Sequence, residues 1–229
     1  MKKFELTTEQ KINWFGRTLY RIKACISFTT TSGDEVKAGD LGGFVEKESN
    51  LSHDGKAWVW GNAEVWGNAK VCGDAEVWGN AEVWGNAKVC GDAEVCGDAK
   101  VWGDAKVCGD ASVFSTEHIF CVTPIGEYAN SLTLFRTKHL EIKISFELDV
   151  YTVDQFLKVI DGWRDDKQKS VAIAAIELAY KHIDLTPTSD DLKPCPFCGG
   201  EAEYNADSDV VVCTNCCASA DKKIWNKRV

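Results

Sequence analysis

The chain has 229 residues and a formal net charge of -9, and this length suits two or three small domains. It shows no signal peptide and no apolar run long enough to span a membrane, so we expect a soluble, cytoplasmic protein. Lysine and arginine nowhere form the basic cluster that nonspecific nucleic-acid binding requires. Tight DNA binding is therefore not the favoured function.

Residues 1–50 predict a β-rich N-terminal cap. Short strands are predicted at 4–7, 12–14, 18–28 and 41–45, with glycines between them. Because the end of a β-solenoid carries unpaired backbone groups, a segment of this kind would cover the first turn of the repeats that follow. Val45, Leu51 and Ala57 are already six residues apart, which places the start of the first turn near Gly43.

A six-residue repeat fills residues 59–112, within a predicted β-helix domain at 51–114. Valine, tryptophan or cysteine, glycine, asparagine or aspartate, alanine and a mostly charged residue follow one another nine times. The alternation of small apolar and outward residues predicts short strands with one buried face. In each hexad, glycine is followed by asparagine or aspartate, and these two residues together favour a sharp corner of the backbone. Each hexad is therefore predicted to form one side of a turn.

A longer period of eighteen residues is also present, since 59–76 is identical to 77–94 and 95–112 is a diverged copy. Three hexads would then form one turn, and residues eighteen apart would stack at about 4.8 Å. The predicted outward columns are Trp60, Trp78, Cys96 and Phe114 on one side, Trp66, Trp84 and Trp102 on the second, and Lys70, Lys88 and Lys106 beside Cys72, Cys90 and Cys108 on the third.

The hexad resembles the repeat of left-handed parallel β-helices, in which an aliphatic residue precedes a small residue by four positions. This resemblance implies a three-sided prism whose subunits associate side by side as a homotrimer. Three stacked outward indoles would form a large apolar strip in water. We therefore expect a trimer interface over Trp66, Trp84 and Trp102, with the chain's own end domains as one alternative cover. The other is a ligand or partner, for which the indoles could stack on nucleobases while the lysine column meets phosphates.

The polar columns have simpler expected roles. Asp74, Asp92 and Asp110 at the neighbouring corner should neutralise the three lysines. The eleven cysteines lie in outward columns and in a metal-type cluster without a targeting segment, so we expect them to be reduced. For Cys72, Cys90 and Cys108, oxidation or a soft metal is the alternative.

Residues 115–186 predict a small α+β domain. Strands are predicted at 118–122, 131–136 and 141–148, followed by two helices. Thr152 and Gln155 form a capping box for the first helix, which should end at Gly162. The second helix, at 169–183, carries an apolar stripe of Ala172, Ile176, Ala179 and Ile183. We expect both helices to close the far end of the solenoid.

Residues 187–229 predict a linker and a zinc ribbon. Cys195 and Cys198 form one Cys-x-x-Cys pair, and Cys213 and Cys216 form a second. Two such pairs place four thiolates around one Zn²⁺ at about 2.3 Å, in sites that are normally structural. Because so short a segment buries little core, the metal would supply most of its folding free energy. A dithiol redox role is the alternative, and Cys217 is a spare or competing ligand.

The ribbon resembles the Lar-like restriction-alleviation zinc ribbons of phages and prophages over residues 192–200, 211–216 and 224–228. One departure is Cys217, where the family usually has glycine, and it leaves the local turn open. Residues 17–22 and 39–44 resemble the lead-in of phage hexapeptide-repeat proteins. These resemblances imply a phage or prophage origin and a role against host restriction.

The predicted function is that of a non-enzymatic binding protein that acts against host defence. It would inhibit a restriction complex or sequester a nucleotide signal. One alternative is a hexapeptide acyltransferase that uses His53 or His118, although the repeat itself contains no histidine and no extruded loop. Another is a scaffold whose ribbon contacts nucleic acid through Lys222, Lys223, Trp225, Lys227 and Arg228.

Overall fold

The computed structural model describes residues 2–126, 128–187, 191–192, 194–206, 208–221 and 225. The chain divides into two compact units, one formed by residues 1–137 and 142–183 and the other by 138–141 and 184–229. Within the described ranges, no helix is both long and apolar enough to cross a membrane.

The N-terminal residues extend one sheet of the solenoid. Strands β1 (Phe4–Ile12) and β2 (Thr18–Ala24) form an antiparallel hairpin, and β2 pairs in the same way with β5 (Leu41–Val45). Strand β5 then pairs in parallel with β7 (Glu64–Val65) of the repeat. A second, short hairpin joins β3 (Phe28–Thr29) and β4 (Glu35–Val36). The backbone groups of the first turn are therefore paired by the chain itself.

The repeat forms a β-solenoid of about four turns, built from three parallel stacks of two-residue strands. The first stack contains β7, β10 (Glu82–Val83) and β13 (Lys100–Val101), the second β8 (Lys70–Val71), β11 (Lys88–Val89) and β14 (Lys106–Val107), and the third β6 (Trp58–Val59), β9 (Glu76–Val77), β12 (Glu94–Val95) and β15 (Ser112–Val113). Val83 pairs with Val65 and Val101, which confirms the predicted stacking of residues eighteen apart.

The first turn is longer than the others. Val45 pairs with Val65 and Leu51 bridges to Val71, which are separations of twenty residues, whereas Val59 and Val77 are eighteen apart. Two extra residues therefore lie between Leu51 and Val59. The expectation that Ala57 continues the valine column is wrong, because Val59 takes that place.

The interior is lined by the valines and alanines of the repeat, which form one core cluster. Each valine from Val59 to Val113 is fully buried, and burial of one such side chain contributes about 1.5 kcal/mol or more. Phe4 and Ile22 belong to the same cluster at the N-terminal end, and Phe135 belongs to it at the other end. The core is thus continuous from the cap to the α+β region.

The α+β region contains an antiparallel sheet of β16 (Ile119–Ile125), β17 (Asn130–Arg136), β18 (Ile142–Phe146) and β19 (Asp149–Thr152), preceded by a 3-10 turn at Thr116–His118. Helices α1 (Val153–Asp161) and α2 (Asp166–His182) follow. The predicted capping box is confirmed, because Thr152 and Gln155 exchange side-chain to backbone hydrogen bonds of 2.8 and 3.2 Å.

The sheet, rather than the helices, closes the last turn of the solenoid, so that expectation is corrected. The Lys106 N–H donates to Thr133 Oγ1 at 3.0 Å, and Ala111 bridges to Thr137. Helix α2 packs on β16 instead. A strand can continue the backbone pairing of the final turn, whereas the backbone groups of a helix are already used within it.

The second unit contains a three-stranded antiparallel sheet of β20 (Ala202–Asn205), β21 (Val210–Cys213) and β22 (Ser219–Asp221). Residues 188–190 and 193 of the predicted linker lie outside the described residues.

Candidate functional site

The four cysteines of the predicted ribbon come together. The sulfur atoms of Cys195, Cys198, Cys213 and Cys216 all lie within 4.8 Å of one another. The Cys195 and Cys216 sulfurs are 3.6 Å apart, and the Cys198 and Cys213 sulfurs are 3.4 Å apart. Four thiolates around one Zn²⁺ at about 2.3 Å would be separated by nearly 4 Å. This cluster can therefore hold a metal ion.

Two equivalent turns present these sulfurs. The Gly199 N–H donates to the Cys195 carbonyl at 2.9 Å, and the Cys217 N–H donates to the Cys213 carbonyl at 3.1 Å. Gly199 and Cys217 both have a positive φ, of 70° and 57°. Cys217 therefore occupies the turn position that glycine favours. A cysteine at this position keeps the turn but adds backbone strain.

Backbone amides act on the sulfurs. The N–H groups of Cys216 and Asn215 point at Cys213 Sγ from 3.4 and 3.3 Å, and they lower the pKa of Cys213 to about 6. The Ala218 N–H lowers the pKa of Cys216, but the crowded thiols of Cys198 and Cys195 raise it to about 12. Without a cation the cluster thus ionises in part and resists full ionisation. A divalent metal would remove that conflict.

Trp225 belongs to the core of the ribbon. It is 4% exposed and packs with Cys195, Val211 and Cys213. This position corrects the expectation that its ring contacts nucleic acid. The other predicted contacts, Lys222, Lys223, Lys227 and Arg228, lie outside the described residues.

In the first unit, three indoles stack on the β7, β10 and β13 side of the solenoid. The rings of Trp66 and Trp84 are parallel with centroids 5.0 Å apart, and those of Trp84 and Trp102 are 6.2 Å apart with an interplanar angle of 14°. We call these three residues the indole column. Its ends differ sharply, because Trp66 is 4% exposed and Trp102 is 61% exposed.

The N-terminal hairpin covers the buried end of the column. The Phe15 ring lies 5.9 Å from that of Trp66 and 6.2 Å from that of Trp84, and Leu19 and Phe44 pack on Trp66. One of the two alternative covers, the chain's own cap, is therefore present over part of the column. Sequence reasoning missed Phe15, because only the tertiary fold brings the hairpin tip to this side.

A groove of about 310 Å³ lies beside the exposed end of the column. Its lining includes Trp102, Lys100, Asp104, Phe120 and His182. The sequence predicts Trp102 as a face residue, but it does not predict the others. A signal did exist, since Phe120 follows Trp102 by eighteen residues.

The other predicted face residues lie elsewhere. Trp60 and Trp78 follow the strands of the third stack, and the Trp60 Nε1–H donates to Glu76 Oε2 at 3.1 Å. Lys70, Lys88 and Lys106 belong to the second stack. Together with the indole column, these residues therefore lie on the three different sides that the eighteen-residue period predicts.

The lysine column is not neutralised as expected. Lys106 Nζ donates to the Glu147 carbonyl at 2.6 Å, while Asp110 pairs with Lys143 at 2.7 Å. Lys70 and Lys88 are exposed, and no ion pair joins either of them to a residue in the described part of the chain.

The expectation that all cysteines are reduced is wrong for one pair. Cys90 and Cys108 form a disulfide with a Cα–Cα distance of 4.7 Å, whereas Cys72 is free. The physical reason is the spacing between turns, which falls within the Cα range that disulfides span.

Both candidate histidines take part in local packing. His53 Nδ1 accepts the Lys3 N–H at 3.2 Å, and the His53 ring stacks on Phe4 at 4.4 Å. His118 is buried, and its Nδ1 accepts the Phe114 N–H at 3.0 Å. These contacts suit residues that hold the ends of the solenoid in place.

Compared with known proteins, the chain matches no protein-family profile, and it is not significantly similar to any curated protein.

Proposed function

We propose that this protein is a non-enzymatic binding protein of a phage or prophage that acts against host defence in the host cytoplasm. The observation that carries the binding role is the indole column, whose terminal ring, Trp102, is left exposed beside a groove. A large exposed aromatic side chain next to a concavity is a common feature of binding surfaces.

The finer features of the fold belong to the same proposal. The solenoid is a left-handed, three-sided prism, which is supported by the likeness of its hexad to that of left-handed β-helices. The four-cysteine cluster is a zinc ribbon, because four thiolates in a tetrahedral arrangement suit Zn²⁺ and leave no open position for a substrate. Its role is then structural. Cys195, Cys198, Cys213 and Cys216 would hold the ion, whose binding stabilises the short second unit.

The assembly is a homotrimer in this proposal. Support comes from the likeness of the hexad to that of left-handed β-helices, which commonly associate side by side as trimers, and the interface would leave Trp102 and its groove open. Native mass spectrometry would report the mass of the assembly and the number of zinc ions together. A monomer at micromolar concentration would contradict the trimer without affecting the zinc assignment.

The role against host defence rests on the resemblances of residues 17–22, 39–44 and the ribbon to phage proteins. The action would be inhibition of a restriction complex or sequestration of a nucleotide signal. The test is phage infection of bacteria that carry a restriction or nucleotide-signalling defence system. Cells that express the wild-type chain should be infected more efficiently than cells with an empty vector.

Two variants make this infection test specific. Trp102→Ala should remove the effect, and Trp78→Ala, which changes an indole on another side of the solenoid, should retain it. If the wild-type chain leaves infection unchanged with every defence system, the proposed role is wrong. If both variants remain active, the indole column is not the binding face.

A further inference from the structure

The indole column ends at a gap. The next position in the eighteen-residue register after Trp102 is Phe120, but residue 120 lies in β16, where the chain has left the solenoid. The Phe120 ring contacts the His182 ring at 5.7 Å, whereas Trp102 stacks only on Trp84 among the described aromatic residues. Both ends of this gap line the same groove.

The groove lining therefore includes three aromatic rings. Trp102 contributes one ring, and Phe120 with His182 contributes the other two. Its volume of about 310 Å³ is at the lower end of the range for small-molecule sites. A flat ring system on Trp102 would extend the stack of indoles, and such stacking contributes strongly to the binding of nucleobases.

The groove lining includes one lysine and one aspartate, which are opposite in charge. Lys100 pairs with Glu82 at 3.3 Å, but both side chains are partly exposed, so this ion pair is weak and Lys100 can turn toward an anion. Asp104 accepts one hydrogen bond from Asn86 Nδ2 at 2.9 Å. Because a carboxylate accepts several hydrogen bonds, it can also accept one from an amino group.

We propose that this groove binds a purine nucleotide, with the base stacked on Trp102 and the phosphate at Lys100. A purine base offers a flat ring and N–H donors for Asp104, and the phosphate supplies the anion for Lys100. An aromatic side chain of a protein partner would use the stacking surface but would engage neither charge. This inference rests on the proposed binding function and specifies its ligand class and site.

Isothermal titration calorimetry of the full, zinc-loaded chain tests the site, with AMP, GMP, adenosine and guanosine as probes. At least one mononucleotide should bind with a dissociation constant on the order of 1 mM or lower. Trp102→Ala should weaken that binding about tenfold or more, since a stacked base contributes that much. Trp78→Ala is the matched control, and it should bind as the wild type does.

A second variant tests the placement of the phosphate. Lys100→Met keeps the aliphatic part of the side chain but removes the charge, so it should weaken mononucleotide binding several-fold and leave the binding of the matching nucleoside unchanged. Thermal unfolding followed by circular dichroism should show that both groove variants remain folded. Equal losses for nucleotide and nucleoside would place the phosphate away from Lys100 and overturn this part of the inference.

Two outcomes separate this inference from the proposed function. If neither mononucleotide binds, or if binding is the same in Trp102→Ala, the nucleotide site is wrong. The infection assay can still show that Trp102 is required, in which case the column binds a different partner. If nucleotides bind at Trp102 but the wild-type chain never alters infection, the site stands and the role against host defence is wrong.

Discussion

The corner glycines of the solenoid allow a test of how closely its turns are stacked. Gly85 and Gly103 occupy the same corner one turn apart and have nearly the same φ, of 74° and 68°. A Cβ atom at Gly85 would lie 2.9 Å from the Gly103 nitrogen and 3.0 Å from its carbonyl oxygen. A Cβ atom at Gly103 would have nothing within 4 Å. Substitution by alanine should therefore separate backbone strain from crowding between turns.

The two costs can be estimated separately. Both alanines would adopt a left-handed conformation, which costs about 1–2 kcal/mol. Only Gly85→Ala also pushes on the backbone of the next turn, where Asn86 N–H donates to the Gly103 carbonyl at 2.8 Å. Such overpacking adds roughly 1–3 kcal/mol. We expect a loss of about 2–5 kcal/mol for Gly85→Ala and about 1–2 kcal/mol for Gly103→Ala.

Urea denaturation monitored by circular dichroism measures this difference in the free energy of unfolding. The solenoid must unfold as one transition for the comparison to hold, and the slopes of the two variants should match the wild-type slope. Equal losses in the two variants would show that the turns are not packed as closely as the structure indicates. A larger loss for Gly103→Ala would refute the reasoning outright.

Three further predictions concern the ribbon and the cap. Cys213→Ser should abolish stoichiometric zinc binding, whereas Cys217→Ser should bind one zinc ion as the wild type does. A colorimetric chelator measures the bound zinc, and equal binding by the two variants would show that Cys213 is not a ligand. Cys217→Gly should stabilise the ribbon by about 1 kcal/mol, because glycine adopts the φ of 57° without strain, and resistance to a chelator would show this gain. Burial lowers the pKa of Lys3 from 10.5 to about 8. Between these pH values the unfolded chain binds more protons than the folded chain, so the free energy of unfolding of the wild type should rise with pH relative to that of Lys3→Met. Urea denaturation at several pH values measures both, and the same pH dependence in the two proteins would contradict this prediction.

The repetitive part of the fold could be predicted in register because its sequence is nearly identical from turn to turn. A shift of one residue would move Val83 out of the core and Glu82 into it, so only one alignment of the hexads is stable. The same argument predicts the indole column, because a fixed period of eighteen residues places Trp66, Trp84 and Trp102 at equivalent positions. The cysteine cluster was equally predictable, since the spacing within each pair fixes a turn that aims both sulfurs at one point.

The features that sequence reasoning missed depend on contacts between distant parts of the chain. Phe15 covers Trp66 only because the hairpin folds over that side of the solenoid. The two extra residues in the first turn cannot be recognised from the spacing, because Ala57 lies six residues after Leu51, as the next position of the repeat would. The role of Phe120 at the groove depends on where β16 leaves the solenoid. The eighteen-residue spacing from Trp102 to Phe120 is visible in the sequence, but it does not show that the chain leaves the solenoid before Phe120.

The proposed binding site lies at the end of the repeat, next to Trp102. Within the indole column, Trp84 is stacked between Trp66 and Trp102 and so has little ring surface left for a ligand. At the N-terminal end Leu19 and Phe44 pack on Trp66, and Phe15 lies beside Trp66 and Trp84. At the other end the chain departs before the next level is filled. The ring of Trp102 therefore keeps one open face, and a ligand can occupy the level that the protein leaves empty.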